Sequence, residues 1–173
     1  MTTFHLTWAG LGLAAPVTWL HTLMFAVFWT GVLYAYSPTA DWVATRLVKT
    51  PPKLGMFRAL QESTFKLVLG IALAWLLGAF LEELLLRGIV VNALRGTIGA
   101  WPAVAVAAAG AFVIHLYQGP RAALIVAQLS VLFGVLYVAS GDDLKSVILA
   151  HGFYDTIAFI QFGMKKTSYS NLS

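Results

Sequence analysis

Apolar residues gather into five long stretches along this chain, at about 17–36, 67–94, 101–117, 120–139 and 144–162. A helix of roughly 20 apolar residues crosses a bilayer, so each stretch reads as a membrane helix. The second is long enough to tilt or to project from the hydrocarbon core. An apolar approach over 4–15 precedes the first stretch, set off from it by Pro16. The start lacks the basic opening and small-residue cleavage site of a signal peptide, so the first stretch reads as retained. No internal repeat or low-complexity segment stands out. The pattern predicts an all-α polytopic membrane helix bundle of about five transmembrane helices plus interfacial helices. It divides into 1–66 (first helix and a basic loop), 67–163 (a helix bundle) and 164–173 (a tail).

Composition sharpens this reading. Apolar residues make up 60% of the 173 and charged residues 10%, against about 45–50% and 25% in soluble domains. Mean hydropathy is +0.81. A water-soluble globule, a disordered chain and a nucleic-acid binder are all excluded. With no Cys there are no disulfides, thiolate zinc sites or cysteine nucleophiles. The net charge of +4 matters through its placement. Arg46, Lys49, Lys53, Arg58, Lys66, Arg121, Lys165 and Lys166 fall on one side of the predicted bundle, and only Arg95 and Lys145 on the other. The basic side should be cytoplasmic, which puts the N-terminus outside and the C-terminus inside. The loop over 37–65 spaces Trp42, Val43, Leu47, Leu54, Phe57 and Leu60 among its charges, with Pro51-Pro52 between. It reads as two short helices lying in the interface. In the third stretch, residues 103–111 run AVAVAAAGA, small enough to let neighbouring helix backbones approach closely.

Polar residues inside these stretches carry the functional signal. Glu82, Glu83, Arg87, His115, His151 and Asp155 all lie in or at the ends of predicted membrane helices. An ionised side chain near the bilayer centre costs roughly 2.5–3.5 kcal/mol on insertion scales, so such residues are functional suspects by default. Glu83 and Arg87 are four apart on one helix face and suited to an ion pair. We assign that pair to structure. Glu82 points about 100° away and is left to face a cavity. His151 and Asp155 are also four apart, so the carboxylate can accept from the imidazole. His115 ends the third stretch just before Gly119-Pro120. A carboxylate beside an imidazole is the minimum equipment for activating water by general base catalysis.

Other plans fail. No HExxH is present, so a zincin helix is absent, and two His with a Glu holding zinc is kept only as a minor alternative to a cofactor-free site. A rhomboid-like GxSG loop lacks its first Gly at Val138-Ala139-Ser140-Gly141. Presenilin-like aspartates would need another order and spacing than Gly141-Asp142 and Tyr154-Asp155 offer. His5 and His21 read as interfacial or packing residues. Asp142 and Asp143 read as solvated loop residues. Trp101 and Tyr137 read as part of an aromatic belt.

Taken together, the motifs resemble a known family. Glu82-Glu83-Leu-Leu-Leu-Arg87-Gly88 is similar to the EExxxR motif of the CAAX protease and bacteriocin-processing (CPBP, or Abi) family. Ala111-Phe112-Val-Ile-His115 resembles its second motif, and His151-Gly-Phe-Tyr-Asp155 its HxxxN/D motif. The gaps between motifs and the intervening Phe133-Gly134-Val-Leu-Tyr137 with Ser140-Gly141 also resemble the family's. The likeness runs from about 78 to 160. It implies an intramembrane glutamic endopeptidase, with 67–163 as the catalytic bundle. Glu82 and His115 would activate water, and His151 with Asp155 would stabilise the oxyanion. Two departures stand out: Ala111 sits where the family usually has an aromatic residue, and Asp155, if ionised, cannot donate to an oxyanion. We therefore assign Asp155 to orienting His151, with His151 as the donor.

The resemblance further implies a membrane-anchored or lipidated protein or peptide as substrate, in the bilayer and without nucleic acid. Prenylated C-termini, bacteriocin-like peptides and sorting signals are all within the family's range. Relatives commonly carry more helices ahead of EExxxR, so the substrate groove is expected to be either minimal or completed by an oligomer or partner subunit. The expected location is the plasma (inner) membrane of a prokaryote. The alternative reading is a non-catalytic scaffold or immunity protein of the same fold that binds other membrane proteins.

Overall fold

The computed structural model describes residues 7–14 and 17–164. Five helices are long and apolar enough to cross a membrane: α1 (Trp19–Leu47), α2 (Thr64–Ile98), α3 (Ala100–Gln118), α4 (Pro120–Ala139) and α5 (Leu144–Met164). The chain is an all-α, multi-pass membrane protein. Thr18 and Ser63 cap α1 and α2 by accepting from the backbone N–H of His21 and Lys66, as short hydroxylated side chains do at helix starts. Gly99 and Gly119, with φ of 87° and 94°, make the tight turns on either side of α3. That conformation is open to glycine at little cost, so successive helices reverse direction within a residue. His5, Pro16, Lys165 and Lys166 lie outside the described residues, as does the expected tail beyond Met164.

The expected first-helix boundary near residue 36 is corrected. Helix α1 runs on through Pro38 to Leu47, so Trp42, Val43 and Leu47 belong to it and not to an interfacial helix. Pro38 forfeits one backbone hydrogen bond, but packing continues beyond it. Ala40 and Ala44 are fully buried, Gln128 donates to the Ala40 carbonyl at 3.1 Å, and Arg121 pairs with Asp41 at 2.7 Å. Of the two predicted short helices one remains, a 3₁₀ segment at Gly55–Gln61. It docks on the end of α5, where Gln61 donates to the Phe162 carbonyl at 2.9 Å. At 35 residues, α2 would reach about 52 Å as a regular α-helix, well beyond a hydrocarbon core of about 30 Å. Its middle is wound as π-helix over Ala74–Glu82 and Leu84–Val91, a rare geometry found mostly where function demands it.

The small face of α3 does what its composition predicts. Ala103, Ala107 and Ala111 are buried at helical spacing. A Cβ on Gly134 of α4 would overlap the side chain of Val104, so the two backbones meet closely. At the opposite end from the basic loop, the expectation of a solvated side chain fails for Asp143. Asp143 is fully buried and accepts from Thr22 and Ser146, both at 2.7 Å. Asp142 pairs with Arg95 at 2.5 Å. The reason is the segment over 7–14, which packs over this turn: Leu144 N–H donates to the Gly12 carbonyl at 3.0 Å, and Asn92 to that of Gly10 at 2.8 Å. A sequence pattern gives no sign of that roof. Tyr137 is likewise buried and bonded to Asn92 at 2.8 Å, not a belt residue. His21 is exposed and stacks on Phe25, and Trp101 is exposed.

Candidate active site

All six intramembrane polar residues converge on one cavity or its immediate wall, and the glycines of α2 and α5 explain how. A Cβ on Gly78 would stand 3.1 Å from Asp155 Oδ2 and 3.8 Å from His151 Nε2, and one on Gly152 would overlap the Trp75 indole. Both glycines let α2 and α5 close on each other. Trp75 then donates to Thr156 Oγ1 at 3.0 Å, fixing the register of the two helices one turn from the polar cluster.

Adjacent carboxylates on α2 meet different surroundings. Glu83 is fully buried and Arg87 is 1% exposed, and they pair at 3.0 Å. The pair is not isolated, however. Glu83 Oε1 also lies 2.7 Å from His151 Nδ1. A carboxylate oxygen accepts and a ring nitrogen donates, so Glu83 ties α2 to α5 as well as to Arg87. Arg87 reaches α4, donating from Nη2 to Ser130 Oγ at 2.7 Å and to the Ser130 carbonyl. Phe133 of α4 stacks on the His151 ring, centroids 4.5 Å apart and planes 24° apart, and the Arg87 guanidinium lies 5.5 Å from the centroid of the Phe133 ring. Asp155 Oδ2 is 3.5 Å from His151 Nε2, ion-pair range but beyond a good hydrogen bond. The closer acceptor for this imidazole is therefore Glu83, not the expected Asp155.

Glu82 turns the other way. Its Oε2 stands 3.9 Å from His115 Nε2, both side chains 14% exposed. Nδ1 of His115 is 2.9 Å from the Ala111 carbonyl. A carbonyl can only accept, so Nδ1 carries the proton, and in neutral His115 Nε2 presents its lone pair toward Glu82. Ala111, expected to bear on the pocket wall, is instead fully buried in the core and serves through its carbonyl.

Glu82, His115, Ser130, Phe133, His151 and Asp155 line a cavity of about 530 Å³, within the usual range for ligand sites. Phe57, Leu60, Tyr117 and Gln118 line it toward the basic-loop end, where Lys53 N–H donates to the Gln118 carbonyl at 2.7 Å. Among the described residues, no group of three or more His, Cys, Asp or Glu side chains is arranged to hold a metal ion. Sequence reasoning missed the Glu83–His151 bond, Ser130 and the Phe133 stack. Ser130 left a signal as the one Ser or Thr in α4, and Phe133 as part of the run that resembles the family, though neither contact could be read from it.

A family model described as type II CAAX prenyl endopeptidase Rce1-like matches residues 64–157. Comparison with curated proteins and with solved structures gives no match.

Proposed function

Because the chain belongs to the Rce1-like family of type II CAAX prenyl endopeptidases, a family of membrane-embedded proteases acting on membrane-associated proteins, we propose that it is an intramembrane glutamic-type endopeptidase. Glu82 and His115 are the proposed water-activating pair. One water at about 2.8 Å from each partner fits a gap of 3.9 Å, its oxygen left free to attack. Attack forms the C–O bond, a water proton passes to Glu82, and the carbonyl oxygen becomes an oxyanion. Doubly protonated His151 donates Nδ1–H to Glu83 and Nε2–H to that oxyanion. On collapse the C–N bond breaks, and the proton on Glu82 moves to the departing amine nitrogen. Glu83 holds the imidazole at Nδ1, and the Asp155 carboxylate lies 3.5 Å from Nε2, beside the place proposed for the oxyanion. Arg87 holds Glu83.

The observation that carries this reading is the facing of Glu82 and His115 across a cavity that also holds His151 and Asp155. The proposed substrate is a membrane-anchored or lipidated protein or peptide, entering from the cytoplasmic side that the basic residues mark. Purified protein in detergent, given a panel of membrane-tethered peptides, tests it. Cleavage by the parent and none by Glu82→Gln, with its melting temperature nearly unchanged, is the expected result. A well-folded parent that cleaves nothing but captures membrane partners would favour the scaffold reading.

A further inference from the structure

We infer that Phe133 is a positioning residue whose ring fixes the plane of the His151 imidazole, an inference that rests on the peptidase reading above. The sequence places it in an apolar helix, where a buried Phe is ordinarily filler. Its surroundings differ from filler. Phe133 is 4% exposed, lies flat on His151 with centroids 4.5 Å apart, and has the Arg87 guanidinium 5.5 Å from its centroid. It also lines the cavity. The Glu83 bond at Nδ1 sets where the imidazole sits but leaves it free to swing about that bond. A flat neighbour restricts this freedom, because at a centroid separation of 4.5 Å, the short end of the range for aromatic pairs, the stacked arrangement fits better than the edge-on one. The platform is itself fixed: the next residue, Gly134, abuts Val104 so closely that no Cβ fits, which clamps α4 against α3. Three helices thereby settle one angle, the direction in which Nε2 points into the cavity.

Orientation of this kind acts on the reacting geometry more than on substrate binding, and misplacement by about 1 Å can cost about 10²-fold in rate. Phe133→Leu, which keeps bulk but loses the flat face, should lower kcat about 10- to 100-fold with KM changed less than about twofold. Phe133→Tyr, which keeps the ring, should restore most of kcat. Leu136→Val, a packing change one turn along in the fully buried core, should lower the melting temperature without this kcat loss. A second readout needs no cleavage. In histidine-labelled protein the His151 ring protons, assigned through His151→Gln, should resonate upfield in the parent and in Phe133→Tyr, and lose that displacement in Phe133→Leu. Full kcat in folded Phe133→Leu, a loss confined to KM, or folded Leu and Tyr variants that are equally slow would overturn the inference. So would unshifted His151 resonances in the parent. A parent that shows the displaced resonances yet cleaves no peptide would count against the peptidase reading and leave the stacked geometry standing.

Discussion

Glu83 serves two hydrogen-bond donors at once, Arg87 and His151, and this predicts an unequal response to breaking its network from either end. Glu83 is fully buried, Arg87 is 1% exposed, and the carboxylate also meets His151 at 2.7 Å. Removing one partner of a buried ion pair costs about 3–5 kcal/mol, since the other charge is left uncompensated. Glu83→Gln does this to Arg87 and withdraws the carboxylate from His151 in the same step, so it belongs at the upper end. Arg87→Leu is milder, because Glu83 keeps His151. It still withdraws the guanidinium from the Ser130 hydroxyl and from the second lone pair of the Ser130 carbonyl. For a chain of this size 1 kcal/mol is worth about 2–4 °C in melting temperature. The expected losses are therefore about 10–20 °C for Glu83→Gln and about 6–12 °C for Arg87→Leu.

The double change Glu83→Gln with Arg87→Leu should melt above Glu83→Gln alone, since no lone guanidinium remains. Coupling of this sign is what a cycle reports for groups in contact. Thermal denaturation in one detergent, read by the surviving monodisperse fraction, measures all four proteins together. Two results refute the reasoning: Glu83→Gln melting with the parent, or the double variant losing the sum of the single losses. Either would mean that water or lipid headgroups already compensate these charges, and that the site is wetter than its burial implies.

Other outcomes follow from the same geometry. Asp155→Asn should keep part of the activity, because its amide can donate to the oxyanion beside His151 Nε2, whereas Asp155→Ala should cost more; equal inactivity would make the negative charge itself the contribution. Dialysis against a strong chelator should leave cleavage intact, since the proposed base is Glu82 with His115, and a loss restored only by zinc would move the site to the metallopeptidase class. Reporter fusions at Lys53 and Ser173 should both report the cytoplasm, and opposite sides would mean the helix count is wrong.

What was legible in the sequence is what a single helix decides locally. Hydropathy locates the five spans because each must be apolar along its length. Four-residue spacing pairs Glu83 with Arg87, and a run of alanines announces the close approach of α3. What escaped depends on one helix meeting another. Nothing in α2 says that Glu83 will touch His151, because that contact needs Gly78 and Gly152 to bring α2 and α5 together. The apolar pattern of the first stretch stops near residue 36, yet Ala40 and Ala44 bury against the bundle and carry α1 onward. Asp143 looked solvated because the turn that bears it is exposed in every local view. The roof over it comes from residues 7–14, far away in sequence.

Two neighbouring glutamates in one motif look redundant until charge is followed through the proposed reaction. Water and the peptide bond arrive neutral, so attack imports no net charge into the cavity. It moves one unit of negative charge from Glu82, which takes the proton, to the carbonyl oxygen. In a site walled by apolar helices, that displacement is favourable only if the receiving end is already arranged for an anion, because charges interact far more strongly there than in water. The receiving end is His151, and its donor atom is held by groups that exchange no proton with the substrate in the proposed step: Glu83 on Nδ1, Arg87 behind Glu83, Phe133 against the ring. A base must be free to change its protonation and a positioning carboxylate must not. Those demands conflict in one side chain, and successive positions on α2 satisfy them separately. Glu82 faces the cavity, while Glu83 is sunk between Arg87 and His151.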